Sequence, residues 1–523
     1  MNNRKILSVI SILLMLSLSL CFFSCASKPS EKTFKEVQRA SVEELVKEIN
    51  KGYDKLDKVD YTNTSMKTDI SISLSNEVLT MLRSSSGEDM TWLNDLNISM
   101  LTNYKGKLAS VNLGLNYKTN SLLALEAIMN LTSNDAYLAI PVLTSKVLKL
   151  DLGDADIAAV YDPTNNAVLE LMPDKEVLGR IILKYYDIVM AAFTNISFTE
   201  GTLTVDDVTE ECIVYTASLS RGQVMTLALN ILETVKADQD IHDYVKRVDA
   251  YAAENELSEE SIYDEFVKAL DENIAEAKAE DPELFNDTTE AVKWTSYMTK
   301  DNEILANAFE LIGEEESYSL FIGKAQNGEN IALNAYLKTN GETTYELEGK
   351  LTEVKGKQSG TYEISVEGES MLFVDVADLD TKKLEDGLIS GSFTLCPSKG
   401  LIDMITENAG GDAVSAGVLP GLAIASFSLK IDVDQKSDRD ATFDISLLNS
   451  GSPYVSLTVS TEVSEGKEIK LPAENNVSVS TEEWAAEMDL NAFIENLENS
   501  GLPSFVVELI SQYIMPQYDY APY

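Results

Sequence analysis

Four cysteines, one histidine and 86 acidic residues are the groups through which this 523-residue chain could do chemistry. Their spacing excludes most of the options. A lone histidine, His242, sits in an acidic stretch and is expected on a helix surface, so a histidine-based triad or a histidine-rich zinc site is not on offer. Cys212 and Cys396 belong to no CxxC pair, which removes a cysteine metal site. Both fall in strand-like segments and are expected to be buried free thiols, with a disulfide between them the alternative after export. Asp432-Val-Asp-Gln-Lys-Ser-Asp-Arg-Asp440 has the acidic look of a calcium loop. It carries Ser437 where such a loop needs glycine and Phe443 where it needs glutamate, so a polar hairpin tip is expected instead. Asp151-Leu-Gly-Asp-Ala-Asp156 is no better a calcium loop. Asn408–Gly417 is glycine-rich without phosphate-binding spacing, and no GxSxG occurs. Paired carboxylates for hydrolysis are set in space, not by sequence interval, so their abundance decides nothing. No cofactor and no metal site is expected.

One cysteine has a different context. Arg4 and Lys5 precede an apolar run from Ile6 to about Phe23, the layout of a signal peptide over residues 1–24. Phe22-Phe23-Ser24-Cys25 follows, with a small residue before the thiol. This segment resembles the lipobox of bacterial lipoproteins. The resemblance implies cleavage between Ser24 and Cys25 and a diacylglycerol on the Cys25 thiol, which would hold the chain on the extracytoplasmic face of a membrane. Loss of Arg4 and Lys5 takes the formal charge from −45 to −47. So acidic a body repels nucleic acid and anionic headgroups, leaving the N-terminal lipid as the expected membrane partner. No protein partner is specified.

The elements that would position any site fall into blocks. Residues 25–40 read as the lipidated tether and 41–222 as a β-rich region with helices. Within it, Val42, Leu45, Val46 and Ile49 mark a helix over about 41–58, and Glu176–Phe193 marks another. Strands are expected around Ile70–Leu74, Val111–Tyr117, 198–206 and 211–220, with a hairpin over Asp135–Leu152. Residues 223–313 read as an acidic helical region, with helix starts at Ser258 and at Asp281-Pro282. Residues 314–472 alternate apolar and polar with period two through Ile331–Leu337, Tyr345–Leu351, Tyr362–Val366, Phe427–Val433, Phe443–Leu447 and Val455–Val459. Asn340-Gly341 and Ser450-Gly451 supply turns. Residues 473–523 read as C-terminal helices, one capped by Ser480 with Glu483, and a tail carrying Tyr518, Tyr520 and Tyr523.

One wet and one dry face per strand requires antiparallel sheet, and the dry face must be covered. The expected fold is therefore α+β: large curved antiparallel sheet with one apolar face under helices, plus an acidic helical insert. This pattern, with Thr216-Ala-Ser-Leu-Ser running into a leucine-rich acidic helix, resembles surface lipoproteins of anaerobic bacteria. More distantly it is similar to the LolA and LppX type of lipoprotein fold, and that resemblance implies a pocket for acyl chains. Three functions are open: a non-enzymatic lipoprotein binding a lipid or other apolar small molecule, a surface interaction module with a filled core, and a carboxylate-dependent hydrolase.

Overall fold

The computed structural model describes residues 30–57, 62–152, 171–255, 257–258, 260–314, 316–408 and 427–514, the side chains of 405–408 excepted. In chain order, α1 (Glu31–Asp57), β1 (Asn63–Leu74) and α2 (Asn76–Ser86) lead into β2–β6 (Leu96–Lys105, Leu108–Tyr117, Asn120–Asn130, Asp135–Ala139, Val147–Asp151). Helix α3 (Lys175–Ala192) precedes the hairpin β7 (Asn195–Val205) and β8 (Val208–Ser220). Helices α4 (Arg221–Ala237), α5 (Gln239–Glu254) and α6 (Ile262–Ala279) follow. Strands β9–β15 run Glu290–Met298, Ile304–Ile312, Ser317–Asn327, Asn330–Thr339, Glu342–Val354, Lys357–Val366 and Glu369–Asp380. Then come α7 (Thr381–Glu385), β16 (Ser390–Pro397), α8 (Lys399–Asn408) and β17–β19 (Phe427–Ser437, Asp440–Asn449, Ser452–Glu465). Strand β20 (Val477–Ser478) and helices α9 (Thr481–Ala486), α10 (Leu490–Asn499) and α11 (Ser504–Ile514) complete the described chain. The fold is α+β with almost wholly antiparallel pairing, as the alternation requires.

The chain divides into two compact units, residues 1–58, 167–354 and 360–373 in unit 1 and residues 59–166, 355–359 and 374–523 in unit 2. In unit 1 the strands β7 to β13 pair in sequence order, each antiparallel to the next. One face lies under α1, α3 and α4. Its centre is Trp294, ringed by Phe34 at 5.1 Å, Phe193 at 5.6 Å and Phe309 at 4.8 Å between centroids. Burying each ring contributes about 2–3 kcal/mol, which binds the helices to the sheet. Polar pegs set the register: the Trp294 indole donates to Asn307 Oδ1 at 3.0 Å, and Gln38 of α1 donates to Ser296 Oγ at 2.8 Å. The sheet also curls, so the β7–β8 tip packs across β11 and β12 through Leu203, Val205, Phe321, Ala325 and Ala332.

In unit 2 the strand order is β16-β17-β18-β19-β1-β2-β3-β4-β5-β6, all antiparallel, with β20 added parallel to β6. The turns named from sequence close hairpins here and in unit 1: Asn340 and Gly341, and Ser450 and Gly451, all have positive φ, as tight turns between twisted strands need.

Several local expectations change. Helix α1 begins at Glu31, inside the expected tether, because Phe34 and Val37 are buried against the sheet. Residues 290–312, expected to be helical, form β9 and β10: Val292, Trp294 and Met298 alternate into the core. Helix α6 is capped by Ser261, whose side chain accepts from Asp264 N, rather than by Ser258. Asp281-Pro282 starts only a single 3-10 turn, Leu284–Asn286. The Ser480 helix ends at Ala486, and Asp489 caps a separate α10.

Candidate functional site

Ser24, Cys25, Asp154, Asp156, nearly all of Asn408–Gly417 and the tail tyrosines lie outside the described residues. His242 is bound within the helices, Nδ1 to Tyr263 Oη and Nε2 to the Lys236 carbonyl, each at 2.9 Å. Cys212 and Cys396 are free thiols. Burial, and then the charge of Glu210, pushes Cys212 up to about 11, and burial raises Cys396, so neither is a thiolate at neutral pH. Asp432 and Asp434, at the suspected calcium loop, pair with Lys430 at 2.8 Å and Lys383 at 3.0 Å. Among the described residues no group of three or more His, Cys, Asp or Glu could hold a metal ion.

Unit 2 instead presents a surface. Strand register places Val433, Phe443, Val459, Ile70, Ile98, Leu115 and Leu123 side by side, one from each of β17, β18, β19, β1, β2, β3 and β4. A second row reads Phe393, Ile431, Ile445, Leu457 and Ile72, and a third Leu395, Leu429, Leu447, Val455 and Leu74. At the inter-strand spacing of about 4.8 Å the first row is about 29 Å long. That is close to the ~30 Å hydrocarbon core of a bilayer, or roughly two acyl chains end to end.

The reverse face of the same strands is a ladder of polar side chains. Asn116 Nδ2 donates to Asn97 Oδ1 at 2.9 Å, Ser446 and Ser456 hydroxyls meet at 2.8 Å, and Lys430 pairs with Asp432. The dry face is the unusual one. Helices α10 and α11 cover its end, burying Tyr117 and Leu122 against Leu497, Leu502 and Val507. Beyond them the apolar side chains are open: Ile72 is 44 %, Leu113 43 % and Ile98 39 % exposed, and Leu115, Leu429 and Leu447 each 37 %. A soluble protein seldom leaves a contiguous apolar patch of this extent without using it. In unit 1 the equivalent space is filled by the ring cluster around Trp294.

Sequence reading found β1, β3 and β17–β19 of this face and placed Cys396 of β16 in a strand-like segment, but missed β2 and β4. What hid them was broken alternation, not weak hydrophobicity.

Unit 1 holds one polar arrangement of interest. Glu346 and Glu348, two apart on β13, point to the same side, where Asn334 Nδ2 donates to Glu346 at 3.1 Å and approaches Glu348 at 3.5 Å. Burial, and then the charge of Glu346, raises the Glu348 carboxyl above its ordinary range.

No family model and no curated protein matches this chain. Among solved structures it is matched to intact Ap-TbpB (N and C lobes) at 6 % identity over 77 % of each chain, with a TM-score of 0.10.

Proposed function

We propose that this chain is an extracytoplasmic lipoprotein, anchored by lipid on Cys25, that binds an acyl chain or similar apolar ligand along the dry face of unit 2. The observation that carries this reading is the set of three in-register apolar rows, open to solvent beyond α10 and α11. Their composition favours lipid over a protein partner. The rows are almost all Leu, Ile and Val, whereas protein interfaces concentrate their binding energy in Trp, Tyr and Arg. The acidic body argues for a ligand without strong negative charge.

Native mass spectrometry of the soluble 26–523 protein tests it. Co-purified lipid, and saturable Nile red binding that is lost in Leu113→Asp/Leu447→Asp, are the expected results. Absence of both lipid and dye binding overturns the reading. For the anchor, Cys25→Ala is expected to abolish fatty-acid labelling and release the protein from membranes; a variant still labelled and membrane-bound overturns it.

A second reading, a carboxylate-dependent hydrolase, has one observation in its favour. The raised Glu348 beside Glu346 is how an acid and a base of different strength are made from two like residues. Hydrolysis of a glycoside or ester panel that disappears in Glu348→Gln supports it, and no turnover removes it.

A further inference from the structure

Resting on the acyl-binding reading above, we propose that the dry face of unit 2 takes an uncharged glycerol ester and seats its head on the Thr68 hydroxyl. A fourth row lies beside the three already described, and it alone carries hydroxyls. It reads Ala441, Thr461, Thr68, Met100, Leu113 and Leu125 across β18, β19, β1, β2, β3 and β4. Thr68 and Thr461 stand directly opposite each other, two residues along their strands from Ile70 and Val459.

Thr68 is 7 % exposed, and its hydroxyl has no hydrogen-bond partner among the described residues. The Thr461 hydroxyl reaches the Ala441 carbonyl at 3.4 Å, the long limit of such a bond. Buried hydroxyls in folded proteins are as a rule bonded, so this exception at the rim of an apolar surface marks a place for an oxygen from outside the chain. Strand alternation puts Thr68 on the same side as Ile70 and Ile72, where the ligand would lie. A hydroxyl there can donate to an ester carbonyl and accept from a glycerol hydroxyl.

The charge of the ligand follows from the same four rows. None of their residues is charged. A carboxylate or phosphate lying on them would lose water with no cation to meet it, and the net charge of −45 adds to that cost. A pure hydrocarbon would leave the Thr68 hydroxyl unmet. An uncharged ester avoids both penalties. Length agrees with this. From Thr68 to Leu74 strand β1 runs about 20 Å at ~3.3 Å per residue. An acyl chain that fills half of a ~30 Å hydrocarbon core spans about 15 Å, so it fits between the threonine and the third row.

The test is displacement of Nile red from the mature chain, Cys25 onward and made without its lipid, by three ligands with the same acyl chain. These are 1-oleoylglycerol, oleate and oleoyl lysophosphatidylglycerol, all at pH 8. The glycerol ester is expected to bind about tenfold more tightly than either anion. Thr68→Val is expected to narrow that preference about fivefold, the size of one lost hydrogen bond. Thr68→Ser, which keeps the hydroxyl, should retain it, and so should Thr442→Val on the reverse face of β18. Equal binding of the three ligands overturns the proposal. So does a preference that Thr68→Val leaves intact, or that Thr442→Val narrows as much. A parent chain that binds Nile red without discriminating among the ligands sinks this inference alone. A parent chain that binds neither dye nor lipid sinks the acyl-binding reading with it.

Discussion

Ile70 of β1 stands directly opposite Ile98 of β2, while its chain neighbours Asp69 and Ser71 stand opposite Ser99 and Asn97. A one-residue slip would carry every apolar side chain of this pair to the wet face. The separation of the two faces in unit 2 therefore rests on register, and register is held across seven strands.

Because the dry face is open, a charge on it should cost little stability and much ligand. Leu113→Asp is expected to lower stability by less than about 1 kcal/mol, the scale of an exposed site. It should reduce Nile red binding several-fold. A large fall in the urea midpoint would mean that Leu113 is covered.

The ring cluster of unit 1 is the opposite case. Trp294 is 4 % exposed and touches three other rings, so Trp294→Ala should cost about 3–5 kcal/mol. Trp294→Phe keeps a ring but removes the shorter of the two bonds to Asn307 Oδ1, leaving only Gln38 Nε2 at 3.4 Å, and about 1 kcal/mol is expected. Chemical denaturation of both variants checks the order.

Asp238 makes stability depend on acid. Burial alone would raise its carboxyl, but hydrogen bonds from Lys184 at 2.9 Å and Tyr185 at 3.0 Å outweigh this and lower it. Its contribution is thus present above the unfolded value near 3.9 and fades as pH falls through the lower folded value. Asp238 also caps α5, accepting from Asp240 N at 3.1 Å. Asp238→Ala should cost about 3 kcal/mol at pH 7, and the difference from the parent should shrink below about pH 4.

Glu348 has the reverse sign. Its raised carboxyl means that ionisation disfavours the folded state, so the penalty grows as pH rises past the unfolded value. Glu348→Gln is expected to stabilise by roughly 0.5 kcal/mol at pH 8 and by nothing at pH 3. Thermal melts across that range would show it.

Gly222 sits at the start of α4 with its amide bonded to the Asp287 carbonyl at 3.0 Å, and a Cβ there would stand 2.3 Å from the Phe285 carbonyl oxygen. Gly222→Ala should therefore cost about 1–3 kcal/mol in urea titration, despite alanine's better helix propensity.

Sheet class, and five strands of the open face, were readable because apolar and polar residues alternate with period two along each strand. Phe443-Asp444-Ile445-Ser446-Leu447 states this in its own residues. Strand β2 was missed because Leu101, directly after Met100, breaks the alternation of Leu96, Ile98 and Met100. Strand β4 was missed because a bulge inserts Leu122 into the cluster under α10 and α11, so Leu122, Leu123 and Leu125 show no period. The error at 290–312 has another origin. Those strands follow three acidic helices, and Trp294 and Phe309 fit a helical stripe until Ser296 and Asn307 are seen pegging α1 and the Trp294 indole.

The position of β1 between β19 and β2 fixes an order of events. Strands β1 and β2 are made early, but the other edge of β1 has no partner until Ser452–Glu465 has been synthesised. Until then the growing chain displays an unpaired strand edge next to Ile70 and Ile72, the combination that invites pairing with a second nascent chain. A sheet whose first strand waits for its last folds late and as a whole. Truncation near residue 450 should therefore yield an aggregate of unit 2, not a shorter version of it.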